Sequence, residues 1–207
     1  MPQEATMPDL RLVRLVGLRL CHDIGGVAGT IGNALEMLDS VGSEAATLAT
    51  DASDVLRRRL TLWRALLGGQ GDMTLDALLG LLGGQLAGGR AQADAATLDP
   101  STRVPEEMVP VLLSAMVLGG EALPRGGHVR LAGDAGREWA IWPEGPKAAW
   151  PAALLRAITG GALPEDPSGR DVLVVWLAAL AGAAGVRLAL AVPPGEGAGP
   201  LLLSVPR

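Results

Sequence analysis

The stretch "LCHDIGGVAGTIGNALEMLD", residues 20–39, has the apolar spacing of a helix, yet it holds four glycines and one of the two histidines of the chain. A glycine in a helix interior costs about 1 kcal/mol relative to alanine. Apolar residues nevertheless recur three and four positions apart, which predicts a helix that Asp9 can cap and that runs to about Asp39. Its apolar stripe consists of Leu12, Val16, Leu20, Ile24, Val27, Ile31, Ala34 and Leu38.

A second long helix is predicted from about Ser43 to Leu67, between the short break "SVGS" at 40–43 and the terminating "GGQGD" at 68–72. Two long helices with a short connection form an αα-hairpin. A lone hairpin cannot bury its apolar stripes, so we expect two copies to pair as a four-helix bundle, unless the C-terminal half supplies the cover. The predicted inward stripe of the second helix is Val55, Leu56, Leu60, Trp63 and Leu67.

From Met73 onward the pattern changes to a mixture of short helices and strands. We expect an α+β layer in which helices cover one face of a sheet, with a domain boundary that divides the chain into residues 1–70 and 71–207. Trp139 and Trp142, three positions apart on one strand, should point to opposite faces. The predicted helices span 74–87, 105–122, 150–158 and 171–184, and the predicted strands span 91–95, 128–133, 137–142, 186–192 and 200–205.

Composition narrows the class of protein further. The 207 residues carry a net charge of −5, which argues against non-specific binding of nucleic acid. A single cysteine, Cys21, permits no disulfide within the chain and favours a reducing compartment. Arginines at positions 11, 14 and 19 interrupt every apolar run near the N-terminus, so neither a signal peptide nor a membrane span is expected. We therefore expect a cytoplasmic protein.

The first helix presents His22 on the side opposite its apolar stripe. At 100° per residue, the imidazole lies about 180° from the midpoint of Leu20 and Ile24. An accessible imidazole can act as a nucleophile at a ring nitrogen. Small or polar residues within about 60° of His22 on this helical wheel include Arg19, Gly25, Gly26, Gly29 and Asn33, which would form a docking face for a partner.

Simpler interpretations of the same residues stay open at this point. A lone histidine in a helix is commonly an ordinary surface residue, and Gly25 and Gly29 could mark close helix packing. Asp23 does not face His22, because neighbouring positions diverge on a helix, but it could bend round to assist as an acid or base.

His128 is interpreted as structural or incidental. Arg57, Arg58, Arg59 and Arg64 could assist docking, although a solvated helix face explains them more simply.

Three segments resemble the ChpT-type histidine phosphotransferases. They are "RLCHDIGGVAGTIGNALEMLD" at 19–39, "LLSAMVLGGEALPRGGHVRL" at 112–131 and "DVLVVWLAALAGAAGVRLAL" at 171–190. The first is also similar, more distantly, to the H-box of sensor histidine kinases. The resemblance implies a dimeric hairpin bundle followed by a small α/β sandwich, a degenerate version of the histidine-kinase ATPase domain that no longer binds ATP.

The resemblance also implies an activity and a site. His22 would be the phosphoacceptor and Asp23 the acidic residue that follows it. The protein would carry a phosphoryl group from the receiver domain of a hybrid histidine kinase to response regulators. It would need no cofactor of its own, because the partner receiver supplies Mg²⁺. This sequence departs from the pattern at Val27, where a proline is common, and at Ser114, near which an ATP-binding domain would have asparagine.

Two other functions compete with phosphotransfer. A sensor-type histidine kinase would autophosphorylate from ATP, but residues 133–170 show no nucleotide-binding glycine boxes, and the chain has no P-loop motif. A non-catalytic dimeric scaffold would dock response regulators without transferring phosphate. The sequence therefore favours a histidine phosphotransferase over both.

Overall fold

The N-terminal part of the computed structural model is an antiparallel helical hairpin. The structure describes residues 10–134, 138–160, 169–191 and 198–205, so the expected cap Asp9 lies outside the described residues. Helix α1 spans Leu10–Glu36, a one-turn helix α2 spans Leu38–Val41, and helix α3 spans Ser43–Leu66. The predicted first helix therefore ends about three residues early, and the predicted second helix is confirmed.

The hairpin buries small residues along most of its length. Helix α1 buries only Val16 and Ala34 among its 27 residues. The predicted stripe is wrong at Leu38, Leu60 and Leu67, which are 37%, 46% and 47% exposed, because they lie on flanks that no other described part of the chain covers. In α3 the buried residues are instead Ala45, Ala49, Ala52, Leu62, Trp63, Ala65 and Leu66.

The C-terminal part is an α+β layer, as the pattern predicts. Two strands of two residues each, β1 at Met73–Thr74 and β3 at Arg103–Val104, pair antiparallel and were not predicted. A two-residue strand is too short to show an alternating period. The strands of the larger sheet are β2 at Ala91–Asp94, β4 at Gly127–Asp134, β5 at Glu138–Glu144, β6 at Arg187–Leu190 and β7 at Leu201–Ser204.

The larger sheet has the strand order β2-β4-β5-β7-β6, in which only the β2–β4 pair is parallel. The predicted hairpin of the last two strands is confirmed. Buried and partly exposed residues alternate along β4, β5 and β7, so one face of the sheet packs against helices. Trp139 is buried and Trp142 is partly exposed, which confirms that the two rings lie on opposite faces.

Four helices accompany the sheet. The predicted helix at 74–87 is shorter than expected, because Gly83 and the left-handed Gly84 end it after Leu82 and a short 3-10 turn follows at Leu86–Gly89. The most buried helix, at Met108–Glu121, buries 12 of its 14 residues. The helices are α4 at Leu75–Leu82, α5 at Met108–Glu121, α6 at Ala152–Ile158 and α7 at Gly169–Ala183.

The base of the hairpin packs onto these helices. Val16, Trp63 and Leu66 belong to the same hydrophobic core as α5 and the sheet. The indole Nε1 of Trp176, on α7, donates a hydrogen bond of 3.2 Å to the carbonyl of Leu66 at the end of α3. This packing brings the first turns of α1 that follow Val16 close to the C-terminal end of α5. No helix among the described residues combines the length and apolarity that crossing a bilayer requires.

Candidate functional site

His22 lies on the exposed face of α1, as the helical wheel predicts. Gly25, Gly26 and Gly29 are exposed on the same helix, and so is Asn33. A Cβ built on any of these three glycines would meet no heavy atom within 4 Å beyond the neighbouring backbone of its own helix. The α-helix continues without a break through Val27, where the resembling family commonly has proline. The imidazole is therefore open to a partner over about two helical turns.

The side chain of Asp23 binds Arg19, one turn earlier on α1. The Nε of Arg19 donates hydrogen bonds of 3.0 Å and 3.1 Å to the two carboxylate oxygens of Asp23. The main-chain carbonyl of Asp23 also accepts a hydrogen bond of 2.6 Å from Nη1 of Arg59, on α3. The residue that follows His22 is thus held through both its side chain and its backbone.

Arg19 also connects α1 to the C-terminal part of the chain. Its Nη2 donates a hydrogen bond of 2.6 Å to Oε1 of Glu121, the last residue of α5. The two side chains are only 18% and 15% exposed. Burial works against the charged guanidinium, but Glu121 and then Asp23 outweigh it, so the pKa of Arg19 lies above its ordinary value. The wheel placed Arg19 on the docking face, whereas its guanidinium binds two carboxylates of its own chain.

A small cavity lies beside the charged cluster of Arg19, Asp23, Arg59 and Glu121, between the hairpin, the 3-10 turn, α5 and α7. Its volume is about 150 Å³. Its lining carries two arginines and two carboxylates, whose formal charges cancel. The polar or aromatic residues of the lining are Arg19, Asp23, Arg59, Trp63, Gln85 and Glu121.

The other candidate residues lie apart from the cluster. Arg57 pairs with Asp54 on its own helix, and Arg58 and Arg64 are exposed. Of the four arginines on α3, Arg59 is the one whose side chain bonds to α1 in the described contacts. His128 is exposed at the start of β4, opposite Glu144 on β5.

Two members of the cluster, Glu121 and Arg59, were not assigned their roles from the sequence. Glu121 is the one charged residue of α5, whose other residues are apolar apart from Ser114. A lone carboxylate at the end of such a helix is a sequence signal that it has a partner elsewhere in the fold. The identity of that partner, 102 positions away, follows only from the packing.

The position of Ser114 bears on nucleotide binding. Ser114 is fully buried in α5, and its hydroxyl has no hydrogen-bond partner among the described residues. A residue buried in this way cannot reach a ligand outside the core.

Within the described ranges, no three His, Cys, Asp or Glu side chains group together in a way that could hold a metal ion.

Comparison with known proteins assigns the class of protein. The family model for the histidine phosphotransferase C-terminal domain matches residues 75–196, which is more than half of the chain. The chain therefore belongs to the histidine phosphotransferase family, and its activity is histidine phosphotransfer in a phosphorelay. The fold is the α+β arrangement that the sequence predicts.

Two similar proteins agree with this assignment. The protein phosphotransferase ChpT of Brucella abortus (strain 2308) is 29% identical over 202 residues, which cover 89% of this chain and 92% of the relative. A bacterial phosphotransferase solved at 1.7 Å aligns with a TM-score of 0.75 and 25% identity, over 97% of this chain and 98% of that one. The Acinetobacter baumannii histidine kinase AdeS aligns with 12% identity over 89% of this chain and 96% of that one. Its TM-score of 0.44 is too low to establish a common fold.

Proposed function

We propose that His22 is the phosphoacceptor and that it carries the phosphoryl group between aspartates of receiver domains. The observation that carries this proposal is the exposed imidazole beside a strip of α1 that has almost no side chains. A receiver domain must bring its aspartyl phosphate to bonding distance of a ring nitrogen. Bulky side chains next to His22 would hold the two backbones apart.

The transfer is a displacement at phosphorus. The lone pair of the unprotonated ring nitrogen of His22 forms the N–P bond, and the bond between phosphorus and the aspartyl oxygen breaks. The aspartate carboxylate of the receiver leaves with that electron pair, and the other ring nitrogen keeps its proton. The same step in reverse delivers the phosphoryl group to an aspartate of a second receiver. Mg²⁺ that neutralises the phosphoryl oxygens belongs to the receiver in this proposal.

Positioning accounts for most of the catalysis in such a step. Holding the reacting atoms about 3–3.5 Å apart and aligned can supply about 7–11 kcal/mol of the barrier. In this proposal Asp23 supports the geometry of His22, since its carboxylate is already bound to Arg19. The proposed docking face consists of Gly25, Gly26, Gly29 and Asn33.

The partners in this proposal are the receiver domain of a hybrid histidine kinase and the receiver domains of response regulators, in the cytoplasm. Receiver active sites are acidic, and the exposed Arg58 and Arg64 of α3 offer positive charge on the hairpin itself. The proposed division of labour follows the boundary expected from the sequence: residues 1–70 carry the phosphoacceptor, and residues 71–207 support it.

The experiment that tests the assignment of His22 uses the second histidine as a matched control. A purified receiver domain carrying labelled aspartyl phosphate is mixed with the wild type, His22→Ala or His128→Ala. We expect acid-labile label on the wild type and on His128→Ala, and none on His22→Ala. Label on His22→Ala at the wild-type level would refute the assignment.

The same proteins separate the two competing functions. Labelled ATP alone should leave the wild type unlabelled, and strong labelling of His22 would favour a histidine kinase. Two receiver domains that exchange phosphate at the full rate in the presence of His22→Ala would favour a scaffold. Both measurements use the full chain.

We also propose that two copies pair through the hairpin. Twelve large hydrophobic residues are exposed among the described residues, and ten of them lie between positions 10 and 67. Five of these cluster at the far end of the hairpin: Leu35, Met37, Leu38, Val41 and Leu48. A second hairpin placed alongside would cover them and form a four-helix bundle.

Sedimentation measures this pairing directly. The wild type should sediment at about twice the chain mass of 21.1 kDa. Substituting both Leu35→Gln and Leu48→Gln should shift the protein toward the monomer. Leu155→Gln is the matched control, because Leu155 is as exposed but lies on α6. A wild type that sediments as a monomer at high concentration would contradict the proposal.

A further inference from the structure

We propose that Arg19 is a positioning residue for transfer at His22, because it binds Asp23 and Glu121 at once and so fixes the reactive turn of α1 against α5. This inference rests on the proposed role of His22. If it holds, the C-terminal part of the chain affects the rate of transfer through Glu121, although Glu121 does not contact the reacting atoms.

The geometry of Arg19 favours a positioning role over the docking role expected from the helical wheel. Its Nε serves Asp23 and its Nη2 serves Glu121, with distances of 2.6–3.1 Å, and only 18% of the side chain is exposed. A partner that recruited this guanidinium would have to separate it from two carboxylates. Charge-assisted hydrogen bonds of this length are among the stronger contacts of a protein.

The backbone of the same turn is held from a third helix. Arg59 of α3 donates to the carbonyl of Asp23 at 2.6 Å, so residue 23 is tied to both α3 and α5. His22 is the preceding residue on the same turn. The Cα from which its imidazole projects is therefore fixed relative to both halves of the molecule.

Fixing this Cα matters because in-line transfer tolerates little displacement. A misplacement of about 1 Å can slow a positioned reaction by about a hundredfold. Loss of Arg19 or of Glu121 leaves α1 attached by its apolar contacts but removes the connection between Asp23 and α5. We expect a slower transfer step, while the face that a receiver contacts stays unchanged.

The test measures single-turnover transfer from a phosphorylated receiver domain at increasing receiver concentration. Arg19→Gln and Glu121→Gln should each lower the maximal rate about tenfold, with the half-saturating receiver concentration unchanged within about twofold. Arg19→Lys keeps the charge but cannot reach both carboxylates with a planar fork, so it should restore the rate only in part. Glu121→Gln preserves the shape of the side chain and so limits the risk of misfolding.

Arg130→Gln is the matched control. Arg130 also lies between two carboxylates, Asp94 and Glu144, but on the strands of the sheet. It should transfer at the wild-type rate, which separates the effect of Arg19 from the general loss of an ion pair. Combining Arg19→Gln with Glu121→Gln should slow transfer no more than either change alone, because both break the same connection.

Several outcomes would overturn the inference. A raised half-saturating concentration with an unchanged maximal rate would make Arg19 a docking residue. Multiplicative losses in the double variant would show that Arg19 and Glu121 act independently. A wild type that takes up no phosphate at His22 would refute the proposed function itself. A wild type that transfers normally, with Arg19→Gln and Glu121→Gln equal to it, would refute the positioning role alone.

Discussion

The glycines of α1 and the glycines around the sheet occupy opposite environments. A Cβ on Gly127 would lie 2.3 Å from the carbonyl oxygen of Glu144, and one on Gly133 would lie 2.2 Å from that of Glu138. Within α5, a Cβ on Gly119 would lie 2.8 Å from Cγ1 of Val129. On α1, by contrast, nothing beyond the neighbouring helix backbone comes within 4 Å of such a Cβ at Gly25, Gly26, Gly29 or Gly32.

The difference shows where the reason for each glycine lies. The fold of the chain itself explains Gly119, Gly127 and Gly133, because a Cβ there would overlap atoms that are already in place. The glycines beside His22 lower helix stability by about 1 kcal/mol each, and no contact within the described chain requires them. The bare surface that they leave beside His22 is one that a partner approaching from outside can use, which is the argument for the proposed docking face.

The largest effect on stability is expected from Gly127→Ala. Gly127 has φ of 137°, a conformation that side chains rarely adopt, and its new methyl would overlap the Glu144 carbonyl. Strain and overlap together should lower the free energy of unfolding by about 3 kcal/mol, measured by chemical denaturation. A loss of less than about 0.5 kcal/mol would show that the sheet adjusts, and the contrast with α1 would weaken.

An effect of the opposite sign is expected from the combined change Gly26→Ala and Gly29→Ala. Two alanines should raise the free energy of unfolding by about 1–2 kcal/mol, since each replaces a helical glycine in open space. Transfer to His22 should slow, because two methyl groups then stand on the proposed docking face. Denaturation and single-turnover labelling of the same preparation measure both effects.

Gly17→Ala is the control for this prediction. Gly17 lies on α1 in equally open space but about 140° around the helix from His22. It should stabilise the helix by about the same amount per residue and leave transfer unchanged. Equal slowing by Gly17→Ala would mean that helix flexibility, rather than a bare surface, accounts for the glycines.

A smaller effect is expected where the hairpin meets the C-terminal part. Trp176→Phe removes the 3.2 Å hydrogen bond from the indole to the carbonyl of Leu66 and should cost about 1 kcal/mol. Trp142→Phe, on the open face of the sheet, should cost less. If the two halves form one cooperative unit, Trp176→Phe will show a single unfolding transition, and two transitions would show that the hairpin unfolds on its own.

Much of this architecture follows from local patterns in the sequence. The period of apolar residues predicts both long helices, and it also predicts that His22 points outward. The four-residue spacing of Arg19 and Asp23 is a common one for a helical ion pair. The contact of Arg19 with Glu121 joins residues 102 positions apart and depends on how the hairpin sits on α5, which no local pattern encodes.

The errors have equally specific causes. Leu60 and Leu67 satisfy the helical period but lie on a flank that a single copy does not cover. The predicted helix at 105–122 starts late, since the chain turns at Pro105, whose carbonyl accepts from the amide of Met108. Periodicity identifies an apolar face, but it cannot say whether the same chain or a second copy covers that face.

The smallest expected effect concerns Asp99. Like the glycines of the sheet, Asp99 has its contacts within its own chain. Its carboxylate accepts hydrogen bonds of 2.8 Å from the amide and from the hydroxyl of Ser101. The amide first, and then the hydroxyl, hold the pKa of Asp99 below its ordinary value. Because the folded-state pKa is lowered, the stabilisation is present at neutral pH and is lost as the pH falls through that folded-state pKa.

A carbon-detected NMR titration of the Asp99 carboxyl group measures this shift directly. The midpoint should lie below that of an unstructured aspartate, and Ser101→Ala should move it part of the way back, because the amide of residue 101 remains to donate. An unchanged midpoint in Ser101→Ala would mean that the hydroxyl contributes nothing. His22 faces outward on its strip of glycines, so its proposed role depends on a partner. The pKa of Asp99, by contrast, depends on contacts within the chain itself.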